Sequence, residues 1–249
     1  MTYAQTNLQL FGQMRQAGYG DQDLAAVRRA YDLAMRVFSS KYRGSGKPLL
    51  AHLVGTASVL VSLKAPVTLI SAAVLHAAYI FGDFGDARGG ATEAKRATLK
   101  EAAGADVERI ISRYDALQWD SSSIAEIHAM VGSMAQGDRE VLLLRLANEL
   151  EDHLDLGVLY CGNAEERREA VRAWLHLCVE LANGLGQPRL AAEFQRVFRE
   201  VLSDGVPEVI RQPHDYTHDL RPLSSMLKPG VLARQFVDQH PRLARLLGR

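Results

Sequence analysis

The stretch SAAVLHAAYIFGDFG, residues 71–85, is alanine-rich and apolar around a single histidine, His76. With the preceding PVTLI (66–70) it places apolar residues on every turn of a helix instead of at alternate positions, and Pro66 suits a first helical turn. The spacing predicts one helix over 66–81, buried on most sides. A histidine in such a segment is either a core side chain satisfied by a buried partner or what remains of a metal site.

Outward from this segment the periodicity stays helical. DQDLAAVRRAYDLAMRVFSS puts Leu24, Val27, Tyr31, Ala34 and Phe38 on one stripe behind an Asp21 cap. Residues 48–65 read as another helix, and further helices are predicted near 91–103, 105–117, 122–135, 138–156, 164–185 and 188–203. Gly104, Gly137, Gly157, Gly184 and Gly186 mark several of the breaks. Strand-type alternation is hard to find, so the fold class is all-α. From Pro207 the texture changes to a proline-rich stretch, then to a short basic amphipathic segment over 231–249. The chain therefore divides into a helical domain, 1–206, and a C-terminal extension, 207–249, expected to wrap the domain or to reach a neighbour. A homodimer built by exchanging that tail is conceivable.

Lys+Arg and Asp+Glu balance at 29 each, so no overall field draws nucleic acid or an anionic membrane. Any charged ligand has to be held locally. Cys161 and Cys178 have no metal-type or disulfide-type spacing; buried thiols in a reducing cytoplasm are expected. Neither a signal peptide nor a membrane-spanning run is visible.

Three pieces, taken in order, carry a resemblance: KYRGSGKPLLAHL (41–53), AAVLHAA (72–78) and LLLRLANELEDHLDL (142–156). The set resembles the HD-domain superfamily and, within it, the hydrolase domain of RelA/SpoT-type alarmone enzymes. That family has a basic residue before S-G-x-P, a histidine four residues after the proline, an H-D pair on the next helix and a later K-L-A-D segment. Here Arg43 precedes Ser45-Gly46-Lys47-Pro48, His52 takes the first histidine position, and His76 falls at the histidine of H-D. Arg145-Leu146-Ala147-Asn148 falls where K-L-A-D would be.

The resemblance implies an all-helical fold and a divalent metal held by two histidines and two aspartates. Two of those four positions depart from it: Ala77 stands at the H-D aspartate and Asn148 at the last one. The acidic pair beyond H-D is replaced by Ile80 and Phe81. A hard divalent ion gains most from anionic oxygens, so the inherited site is expected to be broken, with no resident cofactor. A divalent metal regripped by Asp83, Asp152 or Glu149 is the lesser alternative.

On the 138–156 helix Arg145, Asn148, Asp152 and Asp155 recur at three- and four-residue steps and share a face, with Glu151 beside them. They either line a cavity with His52 and His76 or form a solvated, charge-paired surface. A helix running to Phe81 would bring Tyr79 and Asp83 to the side of His76. His52, Gly55 and Thr56 make one small, partly polar face. Arg43 and Lys47 read as an anion clamp next to a helix start or as an exposed basic loop. His214 and His218, between prolines, read as a loop more than a metal site.

Three functions are open at this stage. The first is a non-standard enzyme working without the usual metal, with His52, His76, Asn148 and Asp152 around the reacting group. Arg43, Lys47, Thr56, Tyr79, Asp83, Arg145 and Glu149 would bind a small polar, phosphorylated or nucleotide-type ligand such as a sugar nucleotide. The second is an inactive ligand-binding or regulatory protein. The third is a metal-dependent phosphohydrolase with a rebuilt site.

Overall fold

The computed structural model describes residues 3–86 and 88–220. Helix α1 (Asn7–Ala17) starts at a capping box, in which Thr6 accepts from the Gln9 N–H, and stops at Gly18 in the left-handed region. Then come α2 (Asp21–Phe38), α3 (Leu49–Ser62), α4 (Val67–Leu75) and the single turn α5 (Ala78–Phe81). These are followed by α6 (Glu93–Ala103), α7 (Ala105–Ala116), α8 (Ser121–Met130), α9 (Gln136–His153), α10 (Ala164–Gly184) and α11 (Pro188–Ser203). Extended backbone is confined, among the described residues, to two-residue pieces such as Lys41–Tyr42. The all-α class holds. No helix is long and apolar enough to cross a membrane, among the described residues.

Two central helices organise the rest. From Leu49 to Val61 nearly every residue of α3 is buried, and α4 is buried from Leu69 to Leu75. Helices apolar on all sides have to be surrounded; α2 and α7 cover α4, while α1 and α9 cover α3. The amphipathic pair α10 and α11 packs together, α11 through Leu190, Phe194, Val197, Phe198 and Val201. One compact unit of the chain ends at His218. The basic segment 231–249, with His240, lies outside the described residues.

Two predicted helices end early. The one expected over 66–81 breaks at His76–Ala77, where Ala77 has φ −87° and ψ 7° and α5 begins afresh. The one expected over 138–156 ends at His153, because Asp155 and Leu156 turn to φ 54° and 59°. Asp tolerates that region; for leucine it costs roughly 1–2 kcal/mol. Asp155 therefore leaves the face it was expected to share.

Candidate functional site

The break after α4 fixes His76. Its Nδ1 donates to the Ala73 carbonyl at 2.8 Å, so a neutral ring carries its lone pair on Nε2. The ring stands edge-on to His52, with centroids 5.5 Å apart, and to Tyr114 at 4.9 Å. Burial, followed by the positive field of His52, lowers the His76 pKa to about 3. At neutral pH this imidazole is uncharged.

His52, on α3, faces α9. Its Nε2 lies 2.9 Å from Asn148 Oδ1 and its Nδ1 2.5 Å from Glu151 Oε2, with Asp152 Oδ1 at 3.4 Å. Asn148, Glu151 and Asp152 are spaced i, i+3 and i+4, so one helix face presents all three. Gly55, one turn beyond His52, makes room for this approach: a Cβ there would strike the Glu151 side chain. Thr56, although buried, turns back and donates to the His52 carbonyl at 3.0 Å.

The loop after Tyr42 supplies two cations. It folds on itself through Arg43 N–H to the Lys47 carbonyl (2.8 Å) and Gly46 N–H to the Arg43 carbonyl (2.9 Å). Arg43 then pairs with Asp152, and Lys47 with Glu151. Burial pushes the Asp152 pKa up, but Arg43, then His52, His153 and Arg145, outweigh it and hold the carboxyl well below the usual carboxylate range. Two anions and two cations thus balance around one buried imidazole.

Over this loop lies the segment 212–217. Gln212 N–H donates to the Tyr160 carbonyl (2.7 Å), Gly162 N–H to the His214 carbonyl (3.1 Å) and Arg167 to the Asp215 carbonyl (3.0 Å). Beneath it is a cavity of about 90 Å³ lined by Arg43, Ser45, Asp152, Cys161, Arg167 and Thr217, among others. Ligand pockets usually run from roughly 300 Å³ upward, so this is a small, polar-lined space beside the loop. The His214 and His218 rings stack at 3.8 Å beside it in a non-helical segment.

The remaining expected site residues are distributed unevenly. Arg145 donates to Tyr114 Oη (3.0 Å) and pairs with Glu149 (2.7 Å), beneath the Trp119 ring. This network meets His76 through the Tyr114 ring. Tyr79 is not in the cavity. With the helix broken at Ala77, its hydroxyl donates to Glu108 at 2.6 Å in a separate buried network with Arg96. Asp83 is exposed and accepts from the Gly85 N–H. Glu151, only 2% exposed, is the residue that sequence reasoning left beside the site instead of in it. Gly55, three positions after His52, marks the close approach of Glu151 once α3 and α9 are packed together.

Donor atoms of His52, Glu151 and Asp152 lie within 4.8 Å of one another, a group able to hold a metal ion. One imidazole with two carboxylates suits a hard or borderline divalent ion. Both carboxylates of the group lie on α9, three and four residues beyond Asn148. The set fits such an ion provided Lys47 and Arg43 withdraw from the carboxylates they now hold.

The profile of the HD domain matches residues 30–188. The bifunctional (p)ppGpp synthase/hydrolase SpoT of Escherichia coli K12 is 25% identical over 206 residues, covering 80% of this chain and 27% of that protein. A probable GTP pyrophosphokinase of Mycobacterium leprae is 27% identical over 188 residues, covering 74% of this chain and 22% of that one. The chain spans about a quarter of the length of these curated relatives. Among solved structures, a metazoan ortholog of SpoT that hydrolyzes ppGpp is 16% identical with a TM-score of 0.48, covering 73% of this chain and 96% of its own. Because the matched profile takes in more than half of its length, this chain belongs to the HD-domain family.

Proposed function

We propose that this chain binds a small phosphorylated, nucleotide-type ligand at the Arg43–Lys47 loop and hydrolyses its phosphoryl ester. The observation that carries the reading is the placement of two loop cations on two carboxylates that border His52. Its support from kinship is that the E. coli relative is a (p)ppGpp synthase/hydrolase.

In this reading Arg43 and Lys47 take the phosphoryl oxygens, Arg43 through a planar fork suited to them. Water attacks phosphorus and gives a proton to the Glu151–His52 pair, Glu151 Oε1 being free once Lys47 has moved to the phosphoryl oxygens. The bond to the leaving oxygen breaks, and the pair returns that proton to the leaving oxygen. Glu151, held on His52 Nδ1, orients the ring. His76, neutral, serves as an acceptor through Nε2 and not as an acid. The residues that would hold a divalent ion are His52, Glu151 and Asp152. Such an ion supplies polarisation of a phosphoryl oxygen and a more acidic water.

A second reading, a binder without turnover, is favoured by one observation: both His52 nitrogens and both Glu151 oxygens already have protein partners. A thermal-shift screen of the full chain with guanosine bis(diphosphate), sugar nucleotides and simple phosphates tests both. A hit lost in Arg43→Ala and turned over by the parent chain supports the enzyme. The same hit without turnover supports the binder, and no hit from any phosphorylated compound overturns both.

A further inference from the structure

The carboxylates that could take a cation are already held by cations, and the groups that could take a phosphoryl anion are already held by anions. Lys47 sits on Glu151 and Arg43 on Asp152; the Glu151 side chain is 1% exposed and that of Asp152 15%. A divalent ion entering alone must displace both basic groups and leaves two excess positive charges at the site. A phosphoryl dianion entering alone must draw both basic groups away and leaves two buried carboxylates without counterions. Either event strands charge in a poorly solvated place, which is expensive. When both enter, each carboxylate trades one cation for another, each cation trades one anion for another, and the net charge of the centre is unchanged.

We infer that a divalent ion and a phosphoryl group bind this centre as a coupled pair, the ion on His52, Glu151 and Asp152 and the phosphoryl oxygens on Lys47 and Arg43. The loop ion pairs are the coupling device: each ligand releases the residues that the other needs. The inference rests on the proposed phosphoryl-binding role of the loop. By linkage, the factor by which phosphate tightens the ion must equal the factor by which the ion tightens phosphate.

The probes are Mn²⁺ and inorganic phosphate, titrated calorimetrically into the chelator-treated full chain, with a protein-free titration subtracting ion–phosphate pairing. Phosphate is expected to raise Mn²⁺ affinity about 10- to 100-fold, the usual span of such couplings, and Mn²⁺ to raise phosphate affinity equally. Lys47→Gln is expected to bind Mn²⁺ more tightly than the parent without phosphate, because a competing cation has gone, and to lose most of the coupling. Arg43→Gln, altered at the other ion pair, should do the same if Lys47→Gln fails to fold. Mn²⁺ affinity indifferent to phosphate in the parent chain, or weakened in both variants, overturns the inference. Phosphate binding that depends on Arg43 while no Mn²⁺ binds under any condition also overturns it, but leaves the phosphoryl-binding reading standing. Absence of phosphate binding with and without Mn²⁺ overturns both.

Discussion

Glu151 Oε2 lies 2.5 Å from His52 Nδ1, and both side chains are 1% exposed. This contact ties α9 to α3 through a charge shut away from water. The pair is tolerable because Lys47 takes the other Glu151 oxygen and Asn148 meets the other His52 nitrogen.

Removing Glu151 is therefore costly to the fold as well as to the site. Glu151→Ala leaves Lys47 and His52 without their shared acceptor, and breaking a buried pair by deleting one partner costs about 3–5 kcal/mol. Glu151→Gln keeps the shape and an acceptor, and should cost clearly less. Urea denaturation of the three chains gives the comparison. Equal stability of Glu151→Ala and the parent would mean that the contact does not form.

Gly55→Ala separates propensity from packing. In a helix interior alanine is favoured over glycine by about 1 kcal/mol, so propensity alone predicts stabilisation. The added Cβ, however, meets the Glu151 side chain, and overpacking typically costs about 1–3 kcal/mol. Net destabilisation is expected. It should vanish or reverse when Gly55→Ala is made in a Glu151→Ala background, a non-additivity that a double-mutant cycle reads directly.

The helical bundle was legible because α2 and α11 carry a clear apolar stripe and because α3 and α4 are long apolar runs without strand-type alternation. The two misplaced helix ends share a cause. Across His76–Ala77 the apolar pattern continues without a break residue, so only the backbone turn at Ala77 reveals the stop. At the end of α9 the left-handed turn falls on Asp155 and Leu156, although glycine is the residue that usually announces one. A continuous helix would bring Tyr79 and Asp83 near His76, but the turn sends Tyr79 to Glu108 instead. Glu151 escaped because, flanked by Leu150 and Asp152, it reads as one more charge on a solvated face. Nothing local in the sequence says that Gly55 lies opposite it.

The acid limb of stability should carry a His76 contribution. Burial and His52 lower the pKa of this imidazole to about 3 in the folded chain, whereas an unfolded histidine titrates near ~6.5. Between those values the unfolded state binds a proton that the native state does not. Stability is thus complete above about pH 6.5 and falls as pH drops toward 3, by at most ~1.4 kcal/mol per pH unit. Asp152, depressed in the folded chain despite its burial, adds a loss of the same sign below its unfolded value near ~3.9. His76→Asn should flatten the slope between pH 6 and 4 and leave the steeper fall below it. Urea midpoints measured across pH 3–8 check this, and an unchanged slope in the variant would remove His76 from the account.

The two thiols should report on the cavity and the core separately. Burial raises the pKa of both, with Glu149 adding to the rise at Cys178. Thiolate is the reactive form, so both should alkylate slowly in the folded chain. Cys161, however, lines the cavity shared by Arg43 and Asp152, whereas Cys178 is fully buried within the apolar core. Iodoacetamide labelling followed by mass spectrometry should find Cys161 modified at least ten times faster than Cys178, which waits for global unfolding. Inorganic phosphate bound beside Arg43 should slow Cys161 and leave Cys178 unchanged. Equal protection of the two thiols by phosphate would point to general stabilisation and would detach the cavity from ligand binding.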